Sequence, residues 1–242
     1  MKREYRKWFS PSLNRDMELL VFGHHGSSII FFPTRTARFY DYEDWKIIEA
    51  IRPKIEAGLL QVYCVDSIDL ESFYCESCPP PKRINRHLDY ENYILTEVIP
   101  FISSLNPGSA LVATGCSFGA YHAVNIVFKH PELFSKVLGM SGRYDLTKKI
   151  GPFRDLFDGY WDEAIYFNMP SQYIPNLNDE DILEKLSHVE IIITIGNEDP
   201  FLENNNRLNI DLSKKNIPTA FHIWEEEAHR PRYWREMLKL YL

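Results

Sequence analysis

The run Leu111-Val112-Ala113-Thr114-Gly115-Cys116-Ser117-Phe118-Gly119-Ala120-Tyr121-His122 leaves its backbone little choice. Apolar residues lead into a G-x-S-x-G pentapeptide, and a helix-like segment follows to His130, where Pro131 stops it. Strand, sharp turn and helix form the context in which such a serine sits on a nucleophile elbow. Glycines on either side of the serine carry no Cβ, so the helix can start close against the strand. The strained turn lifts the Ser117 hydroxyl clear of the sheet, beside the N–H groups that open the helix.

Around this turn the chain alternates. Glu4 to Ser10 and Met17 to Phe22 read as strands, and Ser28 to Phe32 follows the turn Gly23-His24-His25-Gly26-Ser27. Two such runs separated by a Gly-containing loop fit an antiparallel hairpin. Asp41 to Ile55 places Trp45, Ile48, Ile51 and Ile55 at helical spacing. Leu59 to Val65 reads as a buried strand, 66–83 as a long loop ending in three prolines, and Leu88 to Leu105 as a helix. Beyond the elbow come a strand from Lys136 to Met140, an aromatic-rich excursion over 144–177, and a short helix to His188. Glu190 to Ile195 is the next strand, with a helix to about Lys215, a strand from Thr219 to Trp224 and a closing helix from Arg232 to Leu240. Strands alternating with helices imply crossovers and a mostly parallel central sheet. A chain of 242 residues accommodates this as one α/β domain, 1–242, with the excursion over the end of the sheet.

A serine hydroxyl needs a base to take its proton and a third group to orient that base. In parallel sheets, reactive groups gather beyond the carboxyl ends of strands. Asp199 follows one late strand and His229 follows the last, giving the chain order Ser117, Asp199, His229. Glu198 and Glu203 are the alternative acids; Pro200 favours Asp199 by holding it extended. An oxyanion hole would draw on the backbone N–H of Phe118, and on Thr34 or Arg35 after the strand ending at Phe32. His24-His25-Gly26 lies at the start of that strand, at the wrong edge of the sheet for this role.

The segments GCSFGAYHA, FFPTRTARFYDYEDW, CVDSIDLESFY, LSHVEIIITIGNEDP and HRPRYWREML together resemble the serine esterase family. This is the esterase D-like branch of the α/β-hydrolases, with S-formylglutathione hydrolases, feruloyl esterases and mycolyltransferases among its members. The resemblance spans nearly the whole chain. It implies an α/β-hydrolase fold, Ser117 as nucleophile, His229 as base, a carboxylate near Asp199 and an oxyanion contact near Thr34. Relatives often carry Asp-Trp-Pro after the histidine, where this chain has Arg230-Pro231-Arg232. The implied activity is cleavage of carboxylic esters or thioesters of small acyl substrates. Acyl transfer on the same triad is the alternative, as is a catalytically silent scaffold used for binding.

Charge and cysteine usage narrow the partners. A net charge of −7 speaks against nucleic acid or an anionic membrane surface. No apolar run approaches a membrane span. Met1 to Ser10 lacks the apolar core of a secretory signal, and four cysteines make no disulfide framework, so the cytoplasm is the expected compartment. Cys75-x-x-Cys78 has no second ligand pair for zinc and precedes three prolines, so it reads as two loop cysteines. Cys116 reads as a small buried residue. No metal and no organic cofactor is expected.

Overall fold

Strands that are apolar on both faces must lie between two layers, and five of the eight strands here are buried almost end to end. The computed structural model describes residues 1–242. Its strands are β1 (Arg3–Ser10), β2 (Arg15–Phe22), β3 (Ser27–Phe32), β4 (Leu60–Val65), β5 (Leu111–Cys116), β6 (Lys136–Met140), β7 (Glu190–Gly196) and β8 (Thr219–Trp224). They form one sheet in the order β1-β2-β4-β3-β5-β6-β7-β8. β1 pairs antiparallel with β2, and β2 with β4; every other pairing is parallel. This is the α/β-hydrolase arrangement.

Side-chain alternation builds the two layers. Ile30, Phe32, Tyr63 and Val65 face one core with the helices Pro80–Tyr93, Phe118–Lys129 and Leu202–Lys214. Ile29, Phe31, Val62 and Cys64 face the other, under the short helices of 41–56 and the helix Pro231–Tyr241.

Four local expectations change. The antiparallel hairpin is β1–β2, while β3 does not fold back on β2 across the Gly23–Ser27 turn. β4 inserts between them, so β3 is hydrogen-bonded along both edges by parallel neighbours. The helical spacing of 41–55 becomes three short helices, Asp41–Asp44, Ile47–Ala50 and Arg52–Glu56. Lys46 is left-handed at φ 57°, and Pro53 has no N–H to extend the middle helix. The next helix starts at Pro80 rather than Leu88, because prolines suit a first helical turn. It continues through a π turn at Ile94–Val98, just before Pro100, to Leu105. Cys75 and Cys78 are joined as a disulfide rather than standing as separate loop thiols; the turn sets their Cα atoms 5.3 Å apart, within bridging reach.

The helix Phe118–Lys129 is buried on every side from Phe118 to Phe128, which requires a cover as well as a sheet beneath it. The excursion supplies the cover. Asn168 Oδ1 accepts from Asn125 Nδ2 (2.9 Å) and Lys129 Nζ (3.1 Å), and the Asn168 carbonyl accepts from the Tyr121 hydroxyl (2.9 Å). Glu91 closes the far end, accepting from Lys129 Nζ at 2.7 Å and lying 3.3 Å from His130 Nε2. No helix is long and apolar enough to cross a membrane.

Burial alone raises the proton affinity of Glu91, but the bonds from His130 and Lys129 outweigh it and hold the carboxyl at about 2. A depressed folded-state value stabilises the fold above the ordinary glutamate value of roughly 4.3. That contribution is lost as pH falls toward about 2. Urea unfolding should therefore find Glu91→Gln less stable at neutral pH by about 2 kcal/mol, the scale of a charge-assisted bond. The gap should close as the pH is lowered through this window. A pH-independent gap would mean that Glu91 acts through packing alone.

Candidate active site

At the end of β5 the backbone turns through Ser117 at φ 55° and ψ −118°, a region that L-residues avoid. The turn is held on both sides. Ser117 N–H donates to the Met140 carbonyl at the end of β6 (2.8 Å), and Cys116 N–H donates to the Tyr42 hydroxyl (3.1 Å). That hydroxyl in turn donates to the Phe32 carbonyl (2.8 Å). Glycine is required at both flanks. A Cβ on Gly115 would lie 2.2 Å from the Gly119 backbone, and one on Gly119 would lie 2.2 Å from the Phe32 oxygen.

Ser117 Oγ lies 2.8 Å from His229 Nε2, and His229 Nδ1 lies 2.7 Å from Asp199 Oδ2. The Asp199 side chain is fully buried, and its Oδ1 accepts the Phe201 N–H at 2.8 Å. Glu198 and Glu203 are exposed, so the acid brought to the histidine is Asp199. With a carboxylate as its partner, Nδ1 carries the proton and Nε2 is free to accept from the serine hydroxyl.

The loop bearing His229 crosses the end of β7 at Gly196, where a Cβ would meet the Glu227 oxygen at 2.1 Å. Ala228 is left-handed at φ 49°. Its carbonyl accepts from Ser141 Oγ (3.0 Å), and Ser141 Oγ accepts from Trp234 Nε1 (3.1 Å). The Trp234 indole also meets the His229 ring edge-on at 5.7 Å. The histidine is thus fixed by three separate segments.

The N–H groups of Phe118, Thr34 and Arg35 have no acceptor within the chain. Their segments are tied together by one buried carboxylate. Asp69 Oδ2 accepts the Thr36 N–H at 2.7 Å, and its Oδ1 lies 3.4 Å from His122 Nε2, one turn into the elbow helix. His122 therefore packs on the elbow helix and pairs with Asp69 from the loop after β4 rather than reaching the serine.

Ser117, His229, Thr34, Arg35 and Phe118 border one cavity of about 290 Å³. Its walls are Tyr74, Arg143, Phe153, Phe201 and Trp234. Tyr74 and Phe153 reach the cavity from the loop 66–83 and the excursion, whereas Phe73 is buried in the aromatic cluster beneath. Burial pushes the Tyr74 phenol up to about 12, so it stands there as a neutral wall. Arg143, Phe201 and Trp234 escaped the sequence reading. Each lies within five residues of a strand end or of Asp199 or His229, which is the signal that would have found them. No group of three or more His, Cys, Asp or Glu side chains is placed to hold a metal.

A family model described as "Putative esterase" matches residues 44–239. No curated protein sequence matches the chain. Among solved structures, a ferulic acid esterase is 17% identical with a TM-score of 0.79, over 100% of this chain and 96% of that one. An S-formylglutathione hydrolase from Agrobacterium tumefaciens is 17% identical with a TM-score of 0.75, over 98% and 93%. The fluorophosphonate-binding serine hydrolase F of Staphylococcus aureus is 17% identical with a TM-score of 0.72, over 99% and 96%. At these identities the structural likeness establishes the fold.

The backbone at Ser117 carries a conformational cost of about 1–3 kcal/mol. Ser117→Gly and Ser117→Ala both remove the hydroxyl, but only glycine relieves the φ. Thermal and urea unfolding should find Ser117→Gly the more stable of the two by about 1 kcal/mol, the reverse of the usual order. Equal stabilities would show that the turn is unstrained.

Proposed function

The chain belongs to the esterase family and is a hydrolase of ester bonds, and on that premise we propose that Ser117 is its nucleophile, acting through an acyl-enzyme on small carboxylic esters or thioesters. The observation that carries this reading is the unbroken line of bonds from Asp199 Oδ2 through His229 to Ser117 Oγ, at 2.7 and 2.8 Å. In this reading Ser117 Oγ attacks the acyl carbonyl as His229 Nε2 takes its proton. Asp199 holds the imidazole and stabilises the imidazolium that forms. The oxyanion of the tetrahedral intermediate accepts from the N–H of Phe118 and from that of Thr34 or Arg35. His229 returns the proton to the leaving alkoxide or thiolate, which departs and leaves the acyl group on Ser117. Water then repeats the sequence, with His229 as base, and releases the acid. Every step uses only groups of this chain, the substrate and water.

The first test is intact mass after treatment with a fluorophosphonate. The expected result is one adduct on the wild type and none on Ser117→Ala. Absence of an adduct on the folded wild type would overturn the mechanism. On an activated aryl ester, Asp199→Asn should lower kcat by about 10³–10⁴-fold through loss of the productive imidazole tautomer. Glu198→Gln and Glu203→Gln should stay near wild type. A large loss in either glutamate variant, with Asp199→Asn active, would reassign the acid.

A further inference from the structure

Arg143, just beyond the end of β6, is 5% exposed, yet it forms no ion pair with any carboxylate of the chain. Its Nε donates to the Asp145 carbonyl, and its Nη2 to the carbonyls of Leu146, Lys148 and Arg154. Nη1 has no partner in the protein. The neighbouring acids are otherwise engaged. Asp145 binds Thr147, Gln172 and Lys148. Asp155 accepts the N–H groups of Phe157 and Gly159. Buried charges are ordinarily paired, because an isolated one loses its hydration without recompense. Neutral carbonyls hold this guanidinium in place, Asp145 and Asp155 attract it only from beyond ion-pair distance, and arginine stays charged in proteins.

Arg143 is a wall of the cavity that holds Ser117 and His229. Arg35 stands across from it, exposed, its guanidinium 5.8 Å from the Tyr74 ring centre and free of any ion pair. An adjoining recess of about 280 Å³ shares both arginines and adds Arg154, against one acid, Glu76. In a chain of net charge −7, this concentration of positive charge around the cavity that holds Ser117 is a local reversal of sign. A low-dielectric wall strengthens its pull on an anion.

We propose that the cavity accepts esters that also carry a carboxylate, with the carboxylate meeting Arg143 Nη1 and the Arg35 guanidinium while the ester carbonyl lies against Ser117. This rests on Ser117 being the nucleophile and adds the substrate class to it. The bonds of Arg143 to four carbonyls preorganise it, so little ordering is needed on binding. Arg35 brings the second charge from a side chain that stacks on Tyr74 and makes no ion pair.

The test compares isosteric pairs, 3-acetoxybenzoate against 3-acetoxybenzamide, and methyl hydrogen terephthalate against its amide. Each kcat/KM is normalised to the hydroxide-catalysed rate. The pairs place the anion on the alcohol side and the acyl side respectively. The wild type should favour the carboxylate of at least one pair by about tenfold or more, the scale of one charge-assisted bond. The preference should shrink as sodium chloride is raised. Arg35→Gln and Arg143→Gln should each cut the carboxylate-to-amide ratio at least about threefold. Fluorophosphonate labelling is run on every variant. Should Arg143→Gln fail to fold and label, the wild-type ratio, its salt dependence and Arg35→Gln still decide. A labelled wild type with no carboxylate preference in either pair overturns the subsite and leaves the nucleophile standing, as does a preference that neither variant alters. A folded wild type that does not label overturns the nucleophile itself.

Discussion

Everything at the active site depends on a contact made by backbone alone. The elbow helix begins so close to β3 that Gly119 meets the Phe32 carbonyl, and so close to β5 that Gly115 meets Gly119. No residue with a Cβ fits at either glycine without moving main chain. The same approach does two further things. It forces Ser117 to positive φ, which aims its hydroxyl away from the sheet. It also brings the segment after Phe32, with its unpaired N–H groups, beside the N–H of Phe118. Strain at Ser117 and the free N–H groups beside it are therefore two results of one packing decision. The strain persists because the surrounding core, buried on both faces of the sheet, over-determines the turn.

The polarity of the sheet assembles the rest. β3, β5, β6, β7 and β8 run parallel, so Thr34, Ser117, Arg143, Asp199 and His229 all emerge at one edge although they span most of the chain. Loops at such an edge are aligned by side-chain bonds between them. Ser141 fixes the carbonyl before His229, Gly196 lets that loop cross β7, and Asp69 joins the loop after Phe32 to the elbow helix. These bonds lie one layer behind Ser117 and His229 and hold their geometry in place without a ligand.

The interior handles its polar groups in two ways. Behind the elbow helix, His87 is kept neutral by burial, which pulls it down to about 3, and Asn168 and Glu91 gather the donors of Asn125, Lys129 and His130. That network ties the excursion to the elbow helix, with His87 Nδ1 and Asn125 Oδ1 left without a partner. At the cavity, by contrast, Arg143 has neutral oxygens for partners and a nitrogen left over.

Much of this was legible in the chain itself. The elbow, its flanking strand and helix, and the order Ser117, Asp199, His229 follow from local spacing, because a strand, a tight turn and a helix are each specified by neighbours in sequence. The parallel sheet follows from the alternation of elements. What local spacing does not encode is which strands become neighbours. β4 entering between β2 and β3 turned an expected hairpin into two parallel contacts, a choice made by long-range burial of both faces of β3. Likewise Lys46 and Pro53 broke a periodic helix, and a turn closed Cys75 onto Cys78. The selection of Asp199 over Glu198 and Glu203 was also tertiary, since all three are near in sequence and only the folded loop buries one carboxylate against His229. Arg143 is the clearest case. Its residue type and position are plain in the sequence, but its lack of a counter-ion exists only once the chain has folded and every nearby acid has found another partner.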